Sequence, residues 1–253
     1  MQKTVVITGG NSGIGEALAH RWHDAGNTVI VSGRRREALE QAIAGRANMH
    51  AIELDLERPA AIEAAARRLV TQHPALNVLV NNAGIMRFET VERGRDLADA
   101  EATVATNLLG PIRMTNALID HLAAQPDAAI VTVTSGLAFV PLIDTPTYCA
   151  TKAAIHSYTV SLREALKGRV EVIELVPPAV QTELTPGQST RPGYQPLEEF
   201  ADEAFALLNR RPTPPEILVE RVKWLRGAEA EQRFDETVTQ LNDFARKARA
   251  GTG

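Results

Sequence analysis

A tyrosine and a lysine stand four residues apart in a segment with helical periodicity. Tyr148 and Lys152 therefore lie on one face of the predicted helix. An unperturbed tyrosine has a pKa of about 10, and a neighbouring cation such as an ammonium stabilises the phenolate. A phenol of lowered pKa can exchange a proton with an alcohol or ketone oxygen near neutral pH. Taken alone, however, such a pair is more often an ordinary contact on a helix surface.

Two further polar residues stand where they could take part in the same chemistry. Ser135 ends the fifth predicted strand, at the carboxyl edge where open α/β sheets bind ligands. Its hydroxyl could hydrogen-bond an oxygen that reacts beside Tyr148, or it could simply form a turn. Asn107 lies inside a long predicted helix, where asparagine is unfavourable. We expect Asn107 to bind a water or a backbone group at a helix irregularity, with an ordinary interior polar residue as the alternative.

The residues from Thr8 to Gly15 form a glycine-rich turn between the first predicted strand and the first predicted helix. Glycines allow backbone N–H groups to approach an anion closely, and a helix N-terminus attracts phosphate. We therefore predict a pyrophosphate site, although a plain strand-to-helix turn has a similar composition. The spacing is G-x-x-x-G-x-G with no Lys-Ser or Lys-Thr after it, which disfavours a P-loop nucleotidase. The predicted contacts are Gly9, Asn11, Ser12, Gly13, Ile14 and Gly15.

Three arginines follow the second predicted strand, and no acidic residue stands at its end. In dinucleotide-binding folds an acidic residue here binds the 2′-OH of NAD, whereas an arginine accommodates the 2′-phosphate of NADP. Because a guanidinium pairs bidentately with phosphate, Arg34 is predicted to hold that phosphate, with Arg35 second. A solvated basic helix start is the alternative. After the third predicted strand, Asp55 and Leu56 are predicted to bind the cofactor, with Asp55 at the adenine unless it only forms a turn.

The elements that must position these residues alternate along the chain between short apolar runs and longer helical periods. This alternation predicts a doubly wound α/β fold, with a parallel sheet of about seven strands flanked by helices in a single domain spanning 1–253. Pro111 should kink or break the longest helical region. The predicted strands are 4–8, 28–32, 50–54, 78–81, 129–134, 170–176 and 217–219, and the predicted helices are 14–25, 36–44, 59–73, 97–124, 146–167, 197–209 and 229–249.

The character of the sequence changes after the sixth predicted strand. Residues 185–196 are rich in proline and glycine, and we predict a substrate lid over 185–210. The predicted C-terminal helix 229–249 is amphipathic, with Phe234, Val238, Leu241 and Ala245 on one face. That apolar stripe must pack against the body of the protein or against another subunit.

Composition excludes several classes of protein. The 253 residues are 44% hydrophobic and 23% charged with a formal net charge of −4, which argues against a disordered chain and an electrostatic nucleic-acid binder. The single cysteine, Cys149, excludes an internal disulfide and is read as a small apolar helix residue rather than a nucleophile. Scattered histidines give a metal site little support, and no apolar run is long enough to span a bilayer. We expect a cytoplasmic protein without a metal.

Taken together in this order and spacing, the motifs are highly specific. The glycine loop, Asn81-Asn82-Ala83-Gly84, Asn107, Ser135 and the Tyr148–Lys152 pair make the chain resemble the short-chain dehydrogenase/reductase family over nearly its whole length. The resemblance implies a Rossmann-type fold and a catalytic tetrad. In it, Tyr148 would be the acid/base, Ser135 would orient the substrate oxygen, Lys152 would bind the nicotinamide ribose and lower the pKa of the tyrosine, and Asn107 would hold a water that relays protons to Lys152.

The resemblance also assigns further cofactor contacts. Asn82, Ala83 and Gly84 would line the adenosine side, whereas Pro177, Val180 and Thr182 would lie at the nicotinamide carboxamide. The chain departs from the family pattern in two places. Pro177-Pro178 replaces the usual Pro-Gly, and neutral Asn11 and Ser12 stand where relatives that prefer NADP often carry a basic residue.

These observations predict an NADP(H)-dependent oxidoreductase that interconverts a ketone or aldehyde and an alcohol, with NAD(H) as a possible cofactor. Family members mostly form dimers or tetramers, so a homodimer or homotetramer is expected. Two alternatives remain open: a nucleotide sensor or scaffold without turnover on the same fold, and an epimerase or dehydratase that retains NAD. The substrate is expected to carry apolar groups, because an apolar wall is predicted from Met86, Phe88, Leu137, Phe139, Pro141 and Leu142.

Overall fold

The computed structural model of the chain describes residues 2–250. Seven parallel strands form one sheet in the order β3-β2-β1-β4-β5-β6-β7. The prediction of a doubly wound Rossmann-type sheet in a single domain is confirmed. The strands are β1 (Thr4–Thr8), β2 (Thr28–Gly33), β3 (Met49–Glu53), β4 (Val78–Asn81), β5 (Ala129–Val133), β6 (Glu171–Val176) and β7 (Glu216–Leu218).

Helices cover both faces of the sheet. The first face carries α1 and α7, and the opposite face carries α3 and α5. None of the described helices combines the length and the hydropathy needed to cross a bilayer. The helices are α1 (Gly13–Asp24), α2 (Arg36–Ile43), α3 (Pro59–Gln72), α4 (Ala98–Val104), α5 (Gly110–Ala123), α6 (Pro146–Ala165), α7 (Leu197–Leu208), α8 (Lys223–Arg226) and α9 (Phe234–Ala250).

Alternate side chains of each strand enter one of two apolar layers. On β1, Val5 and Ile7 face α1 and α7, whereas Val6 enters the layer under α3 and α5. Such runs of buried β-branched residues are typical of strands covered on both faces. The strand order reverses direction between β1 and β4, so the loops that leave these strands separate and open a cleft at their carboxyl ends.

Two predicted helices begin or continue differently in the structure. The predicted helix 97–124 is divided by a five-residue π-helical segment, Ala105–Leu109, and Pro111 lies in the first turn of α5 just beyond it. The predicted C-terminal helix starts at Phe234 rather than at 229. The cause is local, because Gln232 has a φ of 56°, a left-handed backbone conformation that interrupts an α-helix.

Within the predicted lid, 185–210, the structure contains a short 3₁₀ turn at Gln188–Thr190 and then α7. Phe200, Ala201 and Ala204 of α7 are fully buried in the layer shared with α1. Arg21 of α1 adds ion pairs to Glu198 and Asp202 on α7. The closing movement of residues 185–196 stays a prediction.

The helix that carries Tyr148 is anchored at its start by the loop after β4. The carboxylate of Glu89 accepts hydrogen bonds from the backbone N–H of Thr147 (3.0 Å) and from its hydroxyl (2.8 Å), and it pairs with Arg95 (2.6 Å). Although burial acts to raise the pKa of Glu89, the hydrogen bonds from Thr147 and Arg95 lower it. Glu89 thus caps α6 and complements the positive end of its dipole.

We expect Glu89→Gln to destabilise the fold by about 1–2 kcal/mol at neutral pH, because a charge-assisted cap becomes a neutral one. A carboxyl whose pKa is lowered in the folded state contributes stability above its unfolded pKa and loses it as pH falls through the folded pKa. The difference from wild type should therefore shrink below about pH 4. Chemical denaturation across pH measures it, with the exposed Glu92→Gln as the matched control. A loss that does not depend on pH would contradict the capping role.

Candidate active site

A cleft of about 530 Å³ opens at the carboxyl ends of the strands. All the residues predicted to bind the cofactor line it, from the glycine loop to Thr182, and so do Ser135, Tyr148 and Lys152. Asn107 does not line the cleft and lies directly behind its wall, 1% exposed. The structure thus brings together residues that follow six strands, β1 to β6, and that lie more than a hundred positions apart in the sequence.

The glycine loop has a backbone that few other residues could adopt. Gly9 and Gly13 have φ values of 63° and 53°, in the left-handed region. A Cβ at Gly15 would collide with the carbonyl oxygen of Gly9. The loop therefore curves tightly into the start of α1, where the first-turn N–H groups point towards the cleft.

The loop after β4 is fastened to the glycine loop. The hydroxyl of Thr8 accepts hydrogen bonds from the backbone N–H groups of Asn82 (3.0 Å) and Ala83 (3.1 Å). The amide of Asn82 donates to the carbonyl oxygens of Thr8 (2.9 Å) and Gly9 (3.2 Å). Asn82 thus fixes the shape of the phosphate-binding turn in addition to lining the cleft.

At the end of β2, the arginines differ in their partners. Arg34 and Arg35 line the cleft, and the Arg34 guanidinium lies 3.4 Å from the carboxylate of Glu57. Arg36 instead pairs with Glu40 on the outer face of α2 and does not line the cleft. The carboxylate of Asp55 accepts a hydrogen bond from the backbone N–H of Glu57 (3.1 Å), so this residue does form a turn, while it also lines the cleft.

The phenol of Tyr148 is buried, and it lines the cleft together with Ser135. Ser135 accepts a hydrogen bond from the backbone N–H of Leu137 (3.1 Å), which leaves its own proton free to be donated. The amine of Lys152 lies 5.6 Å from the centre of the Tyr148 ring and donates to the carbonyl of Val133 (2.9 Å), at the end of β5. The end of β5 therefore holds the Lys152 amine beside the Tyr148 ring.

Asn107 occupies the π-helical segment, as an irregularity in the helix predicts. Its side-chain amide donates to the carbonyl of Ile85 (2.8 Å) and its side-chain oxygen accepts from the N–H of the same residue (2.8 Å). A weaker contact of 3.4 Å joins it to the hydroxyl of Thr151, which itself donates to the carbonyl of Tyr148. Asn107 thus ties the loop after Gly84 to α6, and its water-relay role stays a prediction.

Burial governs the electrostatics of the pair. Burial raises the pKa of Tyr148 above its ordinary value, with the hydrogen bond from Ser135 acting in the opposite direction. Burial also lowers the pKa of Lys152 to about 8. Burial is thus the largest influence on the phenol pKa of these side chains on their own, and the lowering of that pKa by Lys152 stays a prediction.

Beyond β6, Pro177, Val180 and Thr182 line the cleft, and their contact with a nicotinamide stays a prediction. The carbonyl of Pro177 accepts a hydrogen bond from the N–H of Gly136 (2.9 Å), which places the Pro-Pro turn beside Ser135. The side-chain amide of Gln188 donates to the carbonyl of Val180 (2.8 Å) and to the hydroxyl of Thr182 (3.2 Å). Gln188 thus stiffens the segment that carries both predicted carboxamide contacts.

An apolar cluster covers Tyr148 on the side away from the glycine loop. It contains Leu142, Cys149 and Ala245, and Met86 and Leu137 pack against it. Three members of the predicted apolar wall, Met86, Leu137 and Leu142, pack in this cluster but do not line the cleft, so the wall stays a prediction. Phe139 is not in the cluster, because its ring packs edge-on against the imidazole of His156 at 4.8 Å.

The single cysteine is a member of this cluster rather than a free nucleophile. The thiol of Cys149 is buried and lies 3.3 Å from the backbone N–H of Leu142. Burial raises the pKa of the thiol, which disfavours the reactive thiolate. The geometry supports the structural interpretation made from the sequence.

Sequence reasoning missed several residues of the cleft. Glu57 and Gln188 line it, and Ala245 reaches the Tyr148 cluster from α9. Glu57 stands two residues after Asp55, which was predicted to bind the cofactor, so its position in the sequence could have indicated that it lines the same cleft. Gln188 carries no local pattern, since its placement depends on contacts with distant parts of the chain. Ala245 was predicted on the apolar face of the C-terminal helix, but no local pattern indicated that this face would reach Tyr148.

Comparison with known proteins decides the family. A family model described as short chain dehydrogenase matches residues 3–192. The chain belongs to the short-chain dehydrogenase family. It is therefore an oxidoreductase of that family, and the resemblance inferred from its motifs is confirmed.

Relatives extend the match to the rest of the chain. The uncharacterized oxidoreductase DltE of Bacillus subtilis is 38% identical over 247 residues, covering 94% of this chain and 98% of that protein. A short-chain dehydrogenase from Sphingobium yanoikuyae in complex with NADPH superposes with a TM-score of 0.77 at 27% identity, covering 91% of this chain and 94% of that one. A 3-ketoacyl-(acyl-carrier-protein) reductase from Brucella melitensis complexed with NADH gives a TM-score of 0.75 at 26% identity, covering 83% and 92%.

The raised pKa of Tyr148 has a spectroscopic consequence. We expect the folded wild type and Tyr148→Phe to have nearly the same tyrosinate absorbance at about pH 10, because the buried phenol stays protonated there. In denaturant the two proteins should differ by one of the three tyrosines. A full tyrosinate difference between the folded proteins at that pH would show that Lys152 outweighs burial.

Proposed function

We propose that the protein is an NADP(H)-dependent carbonyl reductase or alcohol dehydrogenase in which Tyr148 is the acid/base. The observation that carries the proposal is that Ser135, Tyr148 and Lys152 line one cleft with the glycine loop, with the Lys152 amine 5.6 Å from the centre of the Tyr148 ring. Binding a nucleotide requires the glycine loop but does not require the hydroxyls of Ser135 and Tyr148 at the other end of the cleft, so these two side chains favour a reaction over binding alone.

The residues of the cleft fit a dinucleotide. The left-handed backbone of Gly9 and Gly13 turns the loop directly into the start of α1, and the N-terminus of that helix favours a pyrophosphate. Arg34 and Arg35 stand at the end of β2, where a 2′-phosphate would bring two negative charges to their guanidinium groups. When bound, the reduced nicotinamide supplies the hydride for carbonyl reduction.

The chain's own residues then have separate tasks. The hydroxyls of Ser135 and Tyr148 would both hydrogen-bond the substrate oxygen and so orient the carbonyl. The Tyr148 hydroxyl would donate its proton to the forming alkoxide, and its raised pKa makes it a reluctant base in the oxidative direction. The positive charges of Lys152 and of an oxidised nicotinamide would act together to stabilise the phenolate.

The apolar cluster around Tyr148 supports a substrate with apolar groups. Leu137, Leu142 and Met86 surround the phenol together with Ala245. Closing of residues 185–196 over this side would exclude water from the reacting oxygen. A cytoplasmic location and a homo-oligomer remain part of the proposal, and the exposed apolar side chains of Val104, Leu109 and Val160 on the helices that carry Asn107 and Tyr148 support the oligomer.

The decisive substitution is Tyr148→Phe. We expect kcat for NADPH-dependent reduction of ketones and aldehydes to fall at least about a hundredfold, because the proton donor is removed. Binding of NADPH should change by less than about threefold, since the phenyl ring keeps its packing. NADPH oxidation over a panel of carbonyl compounds and NADPH fluorescence titration measure the two quantities.

Tyr158→Phe is the matched control, because it removes the same hydroxyl from the same helix at a position outside the cleft. Equal rates for the two variants would remove Tyr148 from the reaction. If the wild type binds NADPH but turns over no carbonyl compound, a nucleotide sensor is the better explanation. Purification with a tightly held cofactor would instead favour an epimerase or dehydratase.

Cofactor preference is tested by Arg34→Ala. We expect KM for NADPH to rise about tenfold or more and KM for NADH to change by less than about threefold, because only the 2′-phosphate loses a charge-assisted partner. Arg36→Ala is the control, since Arg36 belongs to the same run of three arginines but pairs with Glu40 outside the cleft. An equal loss for both cofactors would exclude Arg34 from phosphate binding.

A further inference from the structure

A buried carboxylate lies beneath the active site. Glu174 on β6 has no exposed surface, and it is the only fully buried Asp or Glu among the residues that the structure describes. Its side chain accepts a hydrogen bond from the hydroxyl of Thr134 (2.7 Å) and contacts Nδ1 of His156 (2.8 Å). A buried charge is unfavourable unless it is paired, so this residue requires an explanation.

The cluster around Glu174 is not arranged as a metal site. His156, Glu174 and Glu216 place ligand atoms within 4.8 Å of one another. However, the guanidinium of Arg226 holds both oxygens of Glu216, at 2.8 and 3.0 Å. Arg226 therefore already supplies a positive charge to Glu216, in the place that a metal ion would take.

Both partners of Glu174 adjoin residues of the proposed active site. Thr134 immediately precedes Ser135, and its backbone N–H also donates to the carbonyl of Leu175 on β6 (2.9 Å). His156 follows Lys152 by one turn of α6, on the same face of the helix. A single side chain on β6 thus joins the strand end that carries Ser135 to the helix that carries Lys152.

We propose that Glu174 is a positioning residue for the oxidoreductase reaction: its carboxylate fixes the end of β5 through Thr134 and contacts His156, so that it places a negative charge one helical turn from Lys152. The inference rests on the proposed function, because a positioning role needs a reaction to serve. Its first test is the titration of Lys152, which can be measured without turnover. Glu174 does not line the cleft and therefore acts only through its neighbours.

The electrostatic part of the proposal has a defined sign. Burial lowers the pKa of Lys152 to about 8, and the charge of Glu174 acts in the opposite direction. Without that charge the pKa of Lys152 would fall further. The other charged or titratable groups that face this cluster are His156 and Arg163 on α6, Glu216 on β7 and Arg226 on α8.

Direct titration of Lys152 tests the proposal. The chain has only five lysines, so protein labelled with ¹³C at lysine Cε gives a resolvable NMR spectrum, in which Lys152→Arg assigns the signal. We expect Glu174→Gln to lower the pKa of Lys152 by about half a pH unit or more. Glu216→Gln, the same change at the neighbouring carboxylate, should shift it less. An unchanged pKa in Glu174→Gln would overturn the proposal.

Kinetics provides the second measurement. In Glu174→Gln the alkaline limb of the kcat profile should move to lower pH by the same amount as the NMR titration, which a loss of stability alone would not produce. If this variant does not fold, Glu174→Asp is used, because its shorter side chain cannot keep both contacts. We then expect a lower kcat at unchanged KM for NADPH, and a wild-type kcat would overturn the positioning role.

The two proposals fail in different ways. If the wild type reduces no carbonyl compound but the Lys152 titration shifts in Glu174→Gln, the charge link stands and the proposed reaction falls. If Tyr148→Phe abolishes turnover while the Lys152 titration is the same in Glu174→Gln and wild type, the reaction stands and the link to Glu174 falls.

Discussion

The whole site depends on burying an amine and a phenol side by side at the end of one strand. Water would solvate either group better than the protein interior does, so each needs fixed partners. The carbonyl of Val133 holds the Lys152 amine, and Ser135 lines the cleft together with the Tyr148 phenol. Since Val133 and Ser135 both belong to the end of β5, the position of that strand in the sheet determines the geometry of the proposed reaction.

Local signals in the sequence were sufficient for much of this arrangement. The glycine loop, the arginines after β2 and the Tyr148–Lys152 spacing each depend on a few neighbouring residues, and the strand order follows from repeated β-α-β connections. The pKa direction of Tyr148 could not be predicted in the same way, because desolvation depends on the packing of Leu142 and Ala245 from distant segments. The start of α9 was misplaced because one left-handed residue, Gln232, has no sequence signal of its own.

Different interactions stabilise the glycine loop and the surroundings of Tyr148, which lie at opposite ends of the cleft. At the glycine loop, Thr8 and Asn82 hold the shape through hydrogen bonds to backbone atoms, and such contacts tolerate few changes of residue type. Around the phenol, the cluster consists of aliphatic side chains, for which volume matters more than identity. The glycine loop therefore suits a ligand that stays the same, whereas the side chains around Tyr148 can change without disturbing the loop.

Helix α9 contacts the Tyr148 end of the cleft through the loop that precedes α6. The side chain of Asn242 accepts from the N–H of Ile143 (2.8 Å) and donates to the carbonyl of Pro141 (3.2 Å), which clamps the helix onto the loop before Tyr148. This helix lies beyond residues 3–192, the part of the chain shared with the family at large. Helix α9 thus contacts the apolar cluster around Tyr148 although it lies outside the matched residues. Its sequence can therefore change without altering the glycine loop at the other end of the cleft.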